Sequence, residues 1–142
     1  MYLLMVLLMM FTPQTHLNDC GVASMLMVAE YYDIDTQDIT SADLHYQITD
    51  GKDRALHITE VVLQLREWGI QTEYTYSHVD ISRALVDGDY PMIYLLEDRA
   101  HFIVLYNGYM LDPREGITRL TMREFINEYN TGVGLLIEEV YK

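Results

Sequence analysis

Cysteine is nearly absent: Cys20 is the only one in 142 residues. A single cysteine cannot close an internal disulfide, so the fold does not rest on an oxidising compartment. The same count excludes zinc sites built from four cysteines, or from two cysteines and two histidines. Basic residues are scarce as well, 9 Lys+Arg against 22 Asp+Glu, for a formal net charge of −13. A surface of that sign repels phosphate backbones and anionic headgroups, which excludes nucleic acid and acidic membranes as natural partners. Three prolines and eight glycines are too few for a linker or a low-complexity tract. The five histidines (His16, His45, His57, His78 and His101) show no HExxH or other tight metal-binding spacing. No cofactor and no metal is expected.

Long apolar runs are missing too. The longest, MYLLMVLLMMF over 1–11, has eleven residues without a charge, and a bilayer span needs about 20. It resembles a signal-peptide core but lacks a basic n-region and a small-residue cleavage site. A docked first strand, or a segment from a curtailed parent protein, is expected there, with no integral membrane span and a cytoplasmic location. What the chain does have is 50% hydrophobic and 22% charged residues. That suits one globular domain over 1–142, with a core of ordinary size.

The order of elements reads as helices first and strands later, the pattern of an α+β fold with a mostly antiparallel sheet. CGVASMLMVAEYY (20–32) follows Asp19, a good N-cap residue, and Val22, Met25, Leu26 and Ala29 share one helical face. A short helix is expected around Ala42–Tyr46. HITEVVLQLREWG (57–69) is the second main helix, with Thr59 as its cap, Val62, Leu63 and Leu65 in its apolar part, and Gly69 as its stop. QTEYTY (71–76) is a short strand and VDISRALVDGD (79–89) a short helix. PMIYLL (91–96) is a buried strand with Pro91 at its start, where a missing N–H costs least. TMREFINEYN (121–130) is a helix capped by Thr121, and GVGLLIEEVY (132–141) is a closing strand. Trp68 is assigned to the core, and Tyr74 and Tyr76 to one face of a sheet.

HFIVLYNGYMLDP (101–113) is the clearest hairpin, because Asn107-Gly108 suits a two-residue type I′ turn between apolar runs. That turn pairs Tyr106 with Tyr109, Leu105 with Met110, Val104 with Leu111 and Ile103 with Asp112. Side chains alternate along each strand, so His101 falls on the face of Ile103 and Asp112. His101 and Asp112 become diagonal neighbours within reach of long side chains. An Asp bonded to one imidazole nitrogen fixes the tautomer and orientation of the ring. A lone His at a strand start is otherwise an ordinary solvated residue, and Asp before Pro is ordinary turn chemistry.

Cys20 stands in the first turn of the first of these helices. A helix N-terminus carries partial positive charge, which favours a thiolate there. Gln14, six positions earlier, brings a side-chain amide that can donate to a developing oxyanion, as can the Cys20 backbone N–H. Alone, a cysteine in a DCG context is more often inert than reactive, and the residues by themselves leave that choice open. His16 faces solvent or assists.

The segment QTHLNDCGVASMLMVAEYY resembles the opening of the bacteriocin-processing, double-glycine cysteine peptidases and their stand-alone relatives of the papain-like class. That pattern has a Gln five residues before Asp-Cys-Gly and then an amphipathic helix ending in Tyr-Tyr. ISRALVDGDYPMIYLLEDRAHFIVLYNGYMLDPREG is similar to the family's helix, strand, His-Phe strand and Asp-Pro turn. TMREF resembles its closing helix. These motifs run from Gln14 to Phe125, with a weaker likeness over 33–78. The separation of eleven between His101 and Asp112 is shorter than in the family pattern, and the Asn-Gly turn accounts for it.

The resemblance implies a papain-like α+β fold with N-terminal helices packed on the sheet. It implies Cys20 as nucleophile, His101 as general acid/base, Asp112 as its orienter and Gln14 in the oxyanion hole. It also implies a peptide or protein substrate, cut after small residues such as Gly-Gly. Two other functions use the same residues. An acyltransferase of the transglutaminase or phytochelatin-synthase kind keeps Cys, His and Asp in this chain order and changes the acceptor. A non-catalytic peptide-binding module keeps only the cleft.

Overall fold

The computed structural model describes residues 2–16, 18–98 and 100–141. The apolar N-terminal run is a helix, α1 (Tyr2–Met10), rather than the expected strand. Leu and Met are good helix formers, and Val6 is the only β-branched residue in the element. Leu7 and Met10, three apart and so on one face, are buried in the main core, while Leu4, Met5, Leu8 and Met9 face outward.

The next helix, α2 (Cys20–Tyr31), is buried around almost its whole circumference. The expected one-sided pattern of Val22, Met25, Leu26 and Ala29 does not hold, and Leu26 is the residue left partly exposed. The cause is its surroundings. It packs on α1, on α3 (Ser41–Thr49), on α4 (Ile58–Glu67) and on the sheet, so only a narrow edge at Leu26 and Glu30 is left for water.

Thr40 caps α3 by accepting from the Asp43 amide at 3.1 Å. The cap position of α4 is His57, not Thr59. Glu60 accepts from the His57 amide at 2.8 Å while Arg54 grips both of its oxygens at 2.8 and 2.9 Å, so the acid side chain holds the helix start from within. The buried face of α4 is Val61 and Leu65, one turn apart, and Leu63 points outward. Gly69 follows the helix at φ 87°, the left-handed stop its position implied.

β1 (Ile70–Thr75), α5 (His78–Leu85), β2 (Met92–Leu96), β3 (His101–Tyr106), β4 (Tyr109–Asp112), β5 (Gly116–Arg119), α6 (Met122–Glu128) and β6 (Gly132–Val140) complete the chain. The six strands form one antiparallel sheet in the order β1-β6-β2-β3-β4-β5. Only β5 lacks a counterpart in the sequence reading. It is four residues long and partly exposed, so it carries no apolar run. Trp68 sits at the edge of the core, partly buried, and Tyr74 and Tyr76 are exposed.

Helices cover both faces of the sheet. α1 to α4 meet the face carrying Phe102, Val104, Tyr106, Ile93 and Leu135. α5 and α6 meet the opposite face through Ile81, Leu85 and Phe125, against Ile103, Leu105, Met92 and Tyr94. Every residue of β3 is therefore buried, as a central strand between two apolar layers requires.

The Asn107-Gly108 turn has φ 51° and 87°, both positive, as a type I′ turn demands. Its amides are not left to water. Asn107 N donates to Ala84 O at 2.9 Å and Gly108 N donates to Leu85 O, so the turn closes the orphan carbonyls at the end of α5. Nothing stands within 4 Å of a Cβ built on Gly108, so a side chain there meets only backbone strain. Gly108→Ala is expected to lower stability by about 1 kcal/mol, and Gly108→Asn by less, since Asn tolerates positive φ. Urea denaturation checks this; equal losses in the two variants would place the cost elsewhere.

Candidate active site

The hairpin register sets the geometry. β3 and β4 pair Tyr106 with Tyr109, Leu105 with Met110 and Val104 with Leu111, as the two-residue turn implied. Beyond the last pair, Asp112 joins Gly116 of β5. His101, at the start of β3, and Asp112, at the end of β4, then meet: His101 Nε2 lies 2.7 Å from Asp112 Oδ1. Both are buried, at 5% and 7% exposure. The same Asp112 oxygen accepts from the Arg114 amide at 2.9 Å and the Glu115 amide at 3.4 Å. The carboxylate thus serves the Asp-Pro turn and the imidazole together.

Cys20 begins α2 and is 3% exposed. Its Sγ accepts from the Phe102 amide at 3.5 Å, which ties the helix start to the residue after His101. With Nε2 committed to Asp112, Nδ1 is the ring nitrogen left on the other side, and it is buried without a hydrogen-bond partner among the described residues. Burial pulls the imidazole down, but the Asp112 hydrogen bond and then the Cys20 sulfur outweigh it and push His101 up to about 9. For Asp112, burial raises the carboxyl, yet the His101 hydrogen bond and the Arg114 amide bring it below its ordinary value. The arrangement favours an imidazolium beside a carboxylate, with a sulfur at hand.

Gln14 is stitched to the same corner. Its backbone N donates to Pro113 O at 3.0 Å, so the residue after Asp112 holds the loop before α2. Its side-chain Nε2 donates to His16 O at 2.9 Å. The His16 ring is exposed. His45 bonds Arg54 O at 2.7 Å, His57 caps α4, and His78 is an exposed first residue of α5.

Asp19 departs from expectation. It occupies the cap position of α2, but its side chain makes no cap hydrogen bond, and its φ −104°, ψ 19° lies outside the extended region of side-chain caps. The carboxylate instead turns back and accepts from Thr15 N at 3.2 Å, Thr15 Oγ1 at 3.0 Å and His16 N at 3.2 Å. The amides of a tight loop compete with those of the helix for one acceptor, and here the loop wins. An Asp three and four residues after a Thr-His pair was the available signal, and a cap reading hides it.

The chain matches the profile of the peptidase C39 family over residues 9–141. It belongs to the peptidase C39 family. It is therefore a cysteine peptidase, a hydrolase. Among solved structures it is similar to a double-glycine-motif protease from an AMS/PCAT transporter in complex with the leader peptide. That likeness has 23% identity over 88% of this chain and 87% of the other, with a TM-score of 0.64. It is also similar to the peptidase domain of Streptococcus ComA, a bifunctional ABC transporter of a quorum-sensing pathway, at 20% identity, 89% and 97% coverage and a TM-score of 0.66. The peptidase domain of Streptococcus mutans ComA follows at 17% identity, 91% and 98% coverage and a TM-score of 0.58. At such identities these structures speak for the fold, which is the papain-like α+β arrangement expected. No curated protein matches the chain significantly. Most of α1 lies before the matched stretch. Among the described residues no helix is long and apolar enough to cross a membrane.

The buried pair gives the C39 chain a defined pH response. His101 is raised from 6.5 to about 9, so its stabilisation is complete below pH 6.5 and is lost as pH rises through 9. Asp112 is lowered from 3.8, so its stabilisation is present above pH 3.8 and is lost as pH falls through the lowered value. At pH 5–6, Asp112→Asn is expected to cost about 3 kcal/mol, as breaking a buried pair does. The gap in Tm between wild type and variant should narrow from pH 6.5 to 9; a constant gap would show that the pair is not ionic.

Proposed function

We propose that this C39 peptidase cleaves a peptide bond through a thioester on Cys20, with His101 as acid and base, Asp112 as its orienter and Gln14 as oxyanion donor. The observation that carries this reading is the 2.7 Å contact between buried His101 and Asp112. It commits one ring nitrogen and leaves the other for the cysteine at the start of α2.

The steps follow from those positions. The Cys20 sulfur attacks the scissile carbonyl carbon, forming the S–C bond and an oxyanion. The Gln14 amide and the Cys20 N–H donate to that oxygen. As the C–N bond breaks, the His101 imidazolium gives its proton to the leaving amine. The neutral imidazole then takes a proton from water, whose oxygen attacks the thioester carbon and releases a free acid and the Cys20 thiolate, restoring the thiolate beside the imidazolium. Asp112 holds the ring in one orientation throughout.

For substrate, we infer a peptide cut after small residues such as Gly-Gly. The family and the likeness to a leader-peptide-bound double-glycine protease support this.

Labelling with a peptide-based thiol probe, and turnover of a Gly-Gly peptide, test the assignment. Cys20→Ala is expected to abolish both. His101→Ala should slow turnover by about 10²–10⁴, and Gln14→Ala by about 10²–10³. Full hydrolysis by Cys20→Ala would end the proposal, and a transfer product in the presence of an added amine would redirect it to acyl transfer. Because the acid in the first step is the imidazolium, kcat/KM should fall as pH rises through about 9. Asp112→Asn removes an upward influence on His101, so it should move that limb to lower pH; an unmoved limb would mean that another group sets it.

A further inference from the structure

The carboxylate next to the nucleophile has no part in the steps above, yet it is 1% exposed. A buried acid in a chain that already carries 22 acidic groups needs a structural reason. Its hydrogen bonds supply one. Asp19 Oδ1 and Oδ2 both lie 3.2 Å from His16 N, and Oδ2 also accepts from Thr15 N and Thr15 Oγ1. The carbonyl of the same residue 16 accepts from Gln14 Nε2 at 2.9 Å. Asp19 therefore holds the loop at residues 15 and 16, and residue 16 holds the Gln14 carboxamide. A carboxamide carries two N–H donors in one plane, so anchoring one of them sets the direction of the other. The second anchor of this loop, Gln14 N to Pro113 O, fixes the backbone but not the side-chain amide.

We propose that Asp19 is a positioning residue of the oxyanion hole: through the Thr15–His16 backbone it orients the Gln14 carboxamide toward the oxygen that develops above Cys20. The inference rests on the assignment of Gln14 as oxyanion donor. It makes the acid of the Asp-Cys pair an organiser of the loop before it, rather than a cap of the helix after it. Its effect should fall on species with a developing oxyanion and spare those without one.

Two reagents separate these. Iodoacetamide alkylates the Cys20 sulfur by displacing iodide, with no carbonyl turned into an oxyanion. A peptide aldehyde ending in Gly-Gly adds reversibly: the S–C bond forms, the carbonyl π bond opens, and the oxygen occupies the oxyanion position. For Asp19→Ala, aldehyde affinity is expected to fall at least tenfold while the iodoacetamide rate stays within twofold of wild type. In the Asp19→Ala background, adding Gln14→Ala should cost little more, because the two act as one unit. Thr15→Val, at an exposed position, removes only the hydroxyl contact and should lower aldehyde affinity about threefold with the fold intact. It keeps the test open if Asp19→Ala does not fold.

Unchanged aldehyde affinity in both variants overturns the proposal, as does an iodoacetamide rate that falls in step with it. Fully additive losses from Asp19→Ala and Gln14→Ala overturn it as well. If Gln14→Ala itself leaves aldehyde affinity unchanged, the oxyanion assignment fails first and takes this proposal with it. If Gln14→Ala lowers affinity and the Asp19 and Thr15 variants do not, only the positioning role fails.

Discussion

The register of β3 on β4 is the constraint on which the site depends. Side chains alternate faces along a strand, so a slip of one residue would put His101 and Asp112 on opposite sides of the sheet. Asn107 and Gly108 prevent the slip by adopting positive φ together, which closes the hairpin at two residues. The turn is in turn clamped by the end of α5, whose last carbonyls accept both turn amides. The apolar filling on each side of β3 adds a second lock. Phe102, Val104 and Tyr106 belong to one core and Ile103 and Leu105 to the other, and a slip would exchange them. Neither layer is built to receive the other's side chains, so the imidazole is held in place by packing well away from it.

Much of this was legible because it is local. The turn signal at Asn107-Gly108, the strand alternation and the spacing of His101 and Asp112 lie within one short stretch, 101–113, and hairpin geometry converts spacing into contact. The Thr121 cap was legible for the same reason: Thr121 and Glu124 satisfy each other's neighbouring amides across one turn. Where the reading failed, the deciding partner was remote or the local options were balanced. The N-terminal run MYLLMVLLMM is apolar all along, so no period in it distinguishes helix from strand. Burial of Leu7 and Met10 on one side becomes visible only once α2 lies beneath them. The burial of most of α2 depends on three other helices and a sheet, which no window of that helix contains. β5 exists because it pairs with β4, and its own residues carry little apolar signal.

Two hydrogen bonds tie the start of the chain to the hairpin, each using a backbone group of the hairpin. The Phe102 amide meets the Cys20 sulfur, and the Gln14 amide meets the Pro113 carbonyl. Both strand-side groups are immediate neighbours of the pair, Phe102 after His101 and Pro113 after Asp112. The helix start that carries Cys20 is thereby indexed to the hairpin that carries His101 and Asp112.

Asp112 shows why geometry and electrostatics cannot be separated here. A buried carboxylate is costly unless its lone pairs are occupied. Asp112 Oδ1 meets the imidazole and two backbone amides of the turn that follows, so the donors that offset its burial also fix its orientation. The imidazole in turn is held above its ordinary value by that carboxylate against the pull of its own burial. Taking away the turn amides would leave the carboxylate short of donors and raise it, which would weaken its hold on the ring and let the ring fall. The Asp-Pro turn thus helps set the state of the His101–Asp112 pair through its backbone amides. A motif that reads as simple turn chemistry and one that reads as a catalytic orienter are, in this chain, the same three hydrogen bonds to one oxygen.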